Sequence, residues 1–185
     1  MKERKNRVCP VERAGSLDSR IRKLYQNPEK MLRKYVRSGM TVLDLGCGPG
    51  FFSTAMAEMV GESGLVIAAD LQQGMLSKLK EKIKGTGIEK TILLHKTSEN
   101  RIGISRHVDL VLAFYIIHEI PDQERAMKEI WSILKPNGIF YLVEPKYFHV
   151  SKGEFEESVN KALKLGFSVV ERPRIFLGRA AVLKK

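Results

Sequence analysis

Thr41-Val42-Leu43-Asp44-Leu45-Gly46-Cys47-Gly48-Pro49-Gly50 decides the reading of this chain. A short apolar run passes directly into glycines at alternate positions, and Phe52, Ala55, Met56 and Met59 then recur at helical spacing. The segment reads as a strand, a tight turn and a helix. Glycines in such a turn let the backbone bend sharply and approach a ligand closely, and the amino end of the following helix presents N–H groups there. The spacing is GxGxG, whereas a dinucleotide-binding loop prefers GxGxxG.

Working outward, Leu65 to Ala69 is a second strand closed by Asp70, which lies 20 residues beyond Gly50. A carboxylate at that strand end can accept hydrogen bonds from the ribose hydroxyls of a nucleoside. Met75, Leu76, Leu79 and Ile83 stripe the next helix. Thr91 to Leu94 and Val108 to Tyr115 read as strands three and four, the latter apolar throughout after Asp109, as a parallel strand covered on both faces should be. Ala126, Ile130, Trp131, Ile133 and Leu134 mark a helix broken by Lys135-Pro136-Asn137-Gly138, and Ile139 to Val143 is strand five. A helix over Glu154 to Leu165 precedes two short strands, Phe167 to Val170 and Arg179 to Leu183, spaced to pair as an antiparallel hairpin. Upstream, Leu17, Ile21, Leu24 and Tyr25 follow Ser16 at helical spacing. Asn27-Pro28 opens a second helix carrying Met31, Leu32, Tyr35 and Val36. Alternation of strands and helices implies a parallel sheet with helices on both faces, and ligands on such sheets bind beyond the carboxyl ends of the strands.

At 185 residues the chain suits one domain with a full core. Its longest apolar run, Leu110 to Ile117, is well short of the roughly 20 residues that span a bilayer. The polar N-terminus lacks the apolar centre of a signal peptide, so a cytoplasmic location is expected. Cys9 and Cys47 have neither CxxC spacing nor disulfide-scaffold density, and reduced thiols follow. Of the net charge of +11, residues 1–40 carry +8, from 12 Lys/Arg against 4 Asp/Glu. That asymmetry fits either a solvated helical face or attraction of an anionic partner.

The run Val42 to Gly50 resembles the first motif of class I S-adenosylmethionine-dependent methyltransferases, and Asp70 resembles their second. The likeness covers roughly residues 40–145. It extends to Asp109-Leu110-Val111-Leu112-Ala113-Phe114-Tyr115-Ile116-Ile117-His118-Glu119 and to Leu134-Lys135-Pro136-Asn137-Gly138, both similar to the small-molecule branch that includes quinone-biosynthesis enzymes. It implies a three-layer α/β sandwich around a seven-stranded, mostly parallel sheet whose last strand is antiparallel. A basic helical lid over residues 1–39 would precede the methyltransferase domain over 40–185. The resemblance further implies that Gly46, Cys47, Gly48 and Gly50 hold the methionine part of S-adenosylmethionine through backbone groups, with Asp44 orienting its ammonium. Asp70 would hold the ribose diol and Leu71 would lie against the adenine. Relatives often carry an acidic residue after strand three; here the register places Thr97 there, followed by Ser98. Ala113, ending strand four, completes the expected cofactor set.

Methyl transfer from a sulfonium is a direct displacement, so the protein mainly aligns the reactants and excludes water. If the acceptor is a phenol, enol or thiol, a proton acceptor helps. His118 is the candidate, with Tyr115 beside it as the second catalytic residue. Tyr25, Tyr115 and Glu144 are the candidate acceptor contacts. The segment after Ala113 lacks the Asn/Asp-Pro-Pro-Tyr/Phe pattern of enzymes that methylate nucleobase amines. No ligand spacing calls for a metal, and no serine elbow calls for a hydrolase. The expected function is methyl transfer to a small molecule, and the basic N-terminus leaves an anionic one open alongside a plain solvated surface. RNA modification comes second, supported by the pI near 9.7, and cofactor binding without turnover third.

Overall fold

The computed structural model describes residues 22, 25–146 and 150–185. Arg22 and Tyr25 are helical; the rest of the helix expected from Leu17, and Cys9, lie outside the described residues. Helix α1 covers Pro28–Leu32, opened by the Asn27 side chain, which accepts from the Lys30 amide. It stops well short of Val36. Strand β1 is Thr41–Leu45, followed by α2 (Phe51–Val60), β2 (Leu65–Asp70), α3 (Gln73–Ile83), β3 (Ile92–Lys96) and β4 (Val108–Phe114). The chain continues through α4 (Gln123–Ile133), β5 (Leu134–Pro145), α5 (Lys152–Lys164), β6 (Ser168–Glu171), β7 (Arg174–Ile175) and β8 (Gly178–Lys184).

The strands form one sheet in the order β3-β2-β1-β4-β5-β8-β6. The first five are parallel, β8 runs antiparallel between β5 and β6, and β7 pairs with β8. The sheet therefore has eight strands where seven were expected. The additional one is a two-residue pairing folded into the connection between β6 and β8. Strand five also begins earlier than expected: Leu134 already pairs with Val108. The register then shifts and Asn137 takes φ 63, so the strand absorbs the turn that separates it from the helix in sequence. Its entry is tied down by Asp109, whose carboxylate accepts from Lys135 Nζ at 2.8 Å and from the Thr41 amide at 2.8 Å.

Because strand side chains alternate between faces, the sheet builds two cores. Leu43, Ile67, Val111, Phe140 and Leu142 pack with Met127, Ile130, Phe155 and Val159 from α4 and α5. On the other face Val42, Val66, Leu110, Leu112 and Tyr141 pack with Leu32, Phe52, Met56, Leu76 and Leu79 from α1, α2 and α3. Both faces being covered, polar chemistry is pushed to the carboxyl ends of β1, β2, β4 and β5. No helix among the described residues is long and apolar enough to cross a membrane.

Candidate active site at the carboxyl edge of the sheet

The parallel register brings Leu45, Ala69 and Ala113 level, so the loops after β1, β2 and β4 emerge side by side. The glycine loop is pinned to β2: the Gly46 and Cys47 amides donate to the Ala69 carbonyl at 2.8 and 3.0 Å. Gly46 has φ 74, and a Cβ there would lie 2.6 Å from Ile116 Cγ1. At Gly50, with φ 87, a Cβ would lie 2.3 Å from Leu79 Cδ1 in α3. Only glycine meets both the left-handed backbone and the close approach at these positions.

Asp70 joins the loops. Its Oδ2 accepts from the Gly48 amide at 2.9 Å and its Oδ1 from the Gln72 amide at 2.8 Å. Its carbonyl accepts from the Thr97 amide at 3.0 Å, which draws the segment after β3 to the same edge. Ser98 turns that segment by pairing with Arg101. Leu71, half-buried, follows Asp70 at the rim, and Ala113 is fully buried behind the loops. The expected cofactor residues from β1, β2, β3 and β4 are thus neighbours.

Asp44 is 2% exposed and accepts from Ser53 Oγ at 2.5 Å. Burial pushes its pKa up to about 7, with the Asp70 charge acting in the same direction; Ser53 and Arg22 oppose the shift. Burial likewise raises Asp70. Burial and these two carboxylates hold the Cys47 thiol well above its usual value, which leaves little nucleophilic thiolate. Two buried carboxylates facing a glycine cradle suit a ligand that brings a cation and hydroxyl donors. The residues present therefore fit S-adenosylmethionine, whose amino-acid end carries an ammonium and whose ribose carries a diol.

Beside this cradle lies a histidine–carboxylate pair. Glu144, 1% exposed on β5, accepts from the His118 backbone amide at 3.1 Å and pairs with His118 Nδ1. His118 belongs to a 3-10 turn after β4. Glu119 next to it has its pKa raised to about 7, by burial first, with Asp70 and Glu144 adding and His118 opposing. Glu144, expected as an acceptor contact, is bonded to His118.

Tyr115 takes φ 62 as the chain leaves β4. Its hydroxyl donates to the Leu177 carbonyl at 3.0 Å and receives Gln26 Nε2 at 3.0 Å. Burial raises its pKa. Gln26, itself buried, also receives Arg22 Nε on its carbonyl oxygen at 2.8 Å. The Arg22 guanidinium lies 4.3 Å from the centre of the Phe51 ring and 5.3 Å from that of Phe114. Tyr25 stands further out, its ring 5.5 Å from Phe176. Sequence reading missed Ser53 and Gln26. A serine one turn into the helix after the glycine loop was an available signal for the first; nothing in the local pattern marks the second.

A methyltransferase domain model matches residues 36–172. A demethylmenaquinone methyltransferase of Lactobacillus johnsonii is 32% identical over 133 residues, covering 71% of this chain and 50% of that protein. The ubiquinone/menaquinone biosynthesis C-methyltransferase UbiE of Haemophilus ducreyi is 30% identical over 110 residues, covering 59% and 42%. The chain thus spans about half the length of these curated relatives. Among solved structures, a SAM-dependent methyltransferase from Aquifex aeolicus superposes with a TM-score of 0.82 at 26% identity, covering 96% of this chain and 98% of that one. With the glycine loop, Asp70 and the reversed strand in place, and three-quarters of its length matched, this chain belongs to the methyltransferase domain family.

Proposed function

We propose that the protein transfers a methyl group from S-adenosylmethionine to a small-molecule acceptor. The observation that carries this reading is the glycine loop between β1 and α2, tied through its Gly48 amide to the Asp70 carboxylate at the end of β2. Backbone groups of Gly46, Cys47, Gly48 and Gly50 hold the amino-acid end, and Asp44 pairs with its ammonium. Asp70 holds the ribose diol. Leu71, Thr97 and Ser98 bound the nucleoside, and Ala113, fully buried, packs behind the loops that hold it. When bound, S-adenosylmethionine supplies an electrophilic methyl group on a positively charged sulfur.

His118 takes the acceptor's proton on Nε2, because the Glu144 carboxylate keeps the other proton on Nδ1. The Tyr115 hydroxyl is committed to Gln26 and Leu177, so Tyr115 ties the segment before α1 to the connection between β7 and β8. That tie would anchor a lid formed by the segment before β1. The similarity to demethylmenaquinone and ubiquinone/menaquinone methyltransferases favours a ring acceptor of the quinone type in its reduced, hydroquinone form, whose ring hydroxyls carry acidic protons.

The charge on Asp44 makes cofactor binding pH-dependent. An ammonium beside it favours the ionised carboxylate, so binding below about pH 7 must release a proton. Affinity for S-adenosylhomocysteine should rise by up to about tenfold per pH unit between pH 5.5 and 7 and then level. Asp44→Asn should bind more weakly and flatten the profile; a wild-type profile already flat in calorimetry would remove Asp44 from the ammonium site. The sign for folding differs from that of a salt-bridged acid. In ligand-free protein the unfolded chain ionises Asp44 first, so its contribution to stability falls as pH rises from about 4 to 7.

A further inference from the structure

We infer that the cleft between α1 and the β7–β8 connection is a subsite for an anionic group carried on a flat, apolar body, at the end of the acceptor remote from the reacting atom. The inference rests on the methyltransferase reading above and names a class of acceptor for it.

The cleft encloses about 310 Å³ and is lined by Tyr25, Asn27, Lys30, Met31, Arg174, Ile175 and Phe176. That space accommodates one ring and its substituent. Its apolar wall is made by Tyr25 and Phe176, whose rings meet at 58° and which are 43% and 59% exposed, together with Met31 and Ile175. Two open aromatic rings beside a cavity gain most from a ligand that removes both from water.

The charge of the lining is one-sided. Lys30 and Arg174 are its ionised groups, and no carboxylate lines it among the described residues. Two carboxylates of β6 and α5 are already bonded: Glu171 by Lys34 and the Tyr35 hydroxyl, Glu156 by the two terminal guanidinium nitrogens of Arg172. Neither Lys30 nor Arg174 has a side-chain partner of this kind among the described residues. A guanidinium and an ammonium flanking aromatic walls recognise a carboxylate or phosphate on a ring.

The cleft also adjoins the reaction centre. Gln26, between the lining residues Tyr25 and Asn27, bonds the Tyr115 hydroxyl, and Tyr115 follows directly on β4. On the opposite wall, Gly178 is flanked by Ile175 and by Tyr115 Oη; a Cβ at Gly178 would stand 3.0 and 3.2 Å from them. The cleft is thus linked to the end of β4 through the Gln26–Tyr115–Leu177 hydrogen bonds.

The 185-residue chain saturated with S-adenosylhomocysteine, labelled for amide-resolved NMR, should be titrated with benzoate, phenyl phosphate, inorganic phosphate and the uncharged benzyl alcohol. The expected result is a saturable shift of the Lys30, Arg174 and Phe176 amides with benzoate or phenyl phosphate, at least tenfold tighter than with benzyl alcohol. Whichever of the two binds tighter identifies the anion, and inorganic phosphate alone should bind more weakly than phenyl phosphate. Lys30→Glu and Arg174→Glu lie on the surface and should each weaken the aryl anion about tenfold while leaving S-adenosylhomocysteine affinity unchanged. Equal binding of benzyl alcohol, anion binding unaffected by either reversal, or no shift at these amides would overturn the subsite. Loss of S-adenosylhomocysteine binding by wild-type protein would instead overturn the methyltransferase reading itself.

Discussion

Replacing His118 by Gln is expected to lower the rate of methyl transfer by about 10²- to 10⁴-fold, the usual contribution of a positioned general base. The geometry supplies both halves of that expectation. Glu144 is buried, and it engages His118 twice, through the backbone amide and through Nδ1. The ring is therefore fixed in orientation and tautomer, as a carboxylate fixes the imidazole in other proton-transfer sites. Because the base acts only on the acceptor, cofactor affinity should not change. The measurement is release of S-adenosylhomocysteine with a panel of catechols, hydroquinones and thiols, alongside calorimetry of cofactor binding. A His118→Gln protein that turns over at the wild-type rate would show that the acceptor needs no base here. Glu144→Gln should follow His118→Gln in direction, and Glu144→Asp should recover part of the rate.

Asp70→Ala is expected to weaken cofactor binding by between about tenfold and a few hundredfold. Hydrogen bonds to a charged group contribute roughly 1.5 to 3 kcal/mol, and each 1.4 kcal/mol is a factor of ten. Asp70 has a second task, since its two oxygens already hold the Gly48 and Gln72 amides. The substitution therefore removes the proposed ribose contact and frees the glycine loop together. Asp70→Asn separates these effects. It preserves one acceptor for the Gly48 amide and loses the charge, so it should fall between wild type and Asp70→Ala. Unchanged affinity in calorimetry for both variants would remove Asp70 from the site.

How much of this could be read from the chain depends on the range of the interaction concerned. The strand, glycine loop and helix from Thr41 onward were legible because period and turn chemistry are local signals, and Asp70 because it closes a strand at a fixed distance from the loop. The extra strand β7 was not, since two residues carry no period. Leu134 looked helical because it continues an apolar stripe, and only its pairing with Val108 makes it strand. The last helix begins at Lys152 behind a reciprocal Ser151–Glu154 capping box, a local signal that was present in the sequence and unused. His118 and Glu144 were each legible as polar residues at strand ends. That they bond one another was not, because they are 26 residues apart and meet through the β4–β5 register. The same holds for Gln26 and Tyr115, separated by 89 residues.

The central claim is that the glycine loop and Asp70 form a site for S-adenosylmethionine. The most direct measurement is calorimetric titration of the full chain with S-adenosylmethionine and S-adenosylhomocysteine, with NAD as the control ligand. Saturable binding of the first two in the micromolar range and none of NAD is expected, since the GxGxG loop lacks dinucleotide spacing and a buried Asp44 disfavours a pyrophosphate. Binding of NAD, or of neither sulfur ligand, would contradict it.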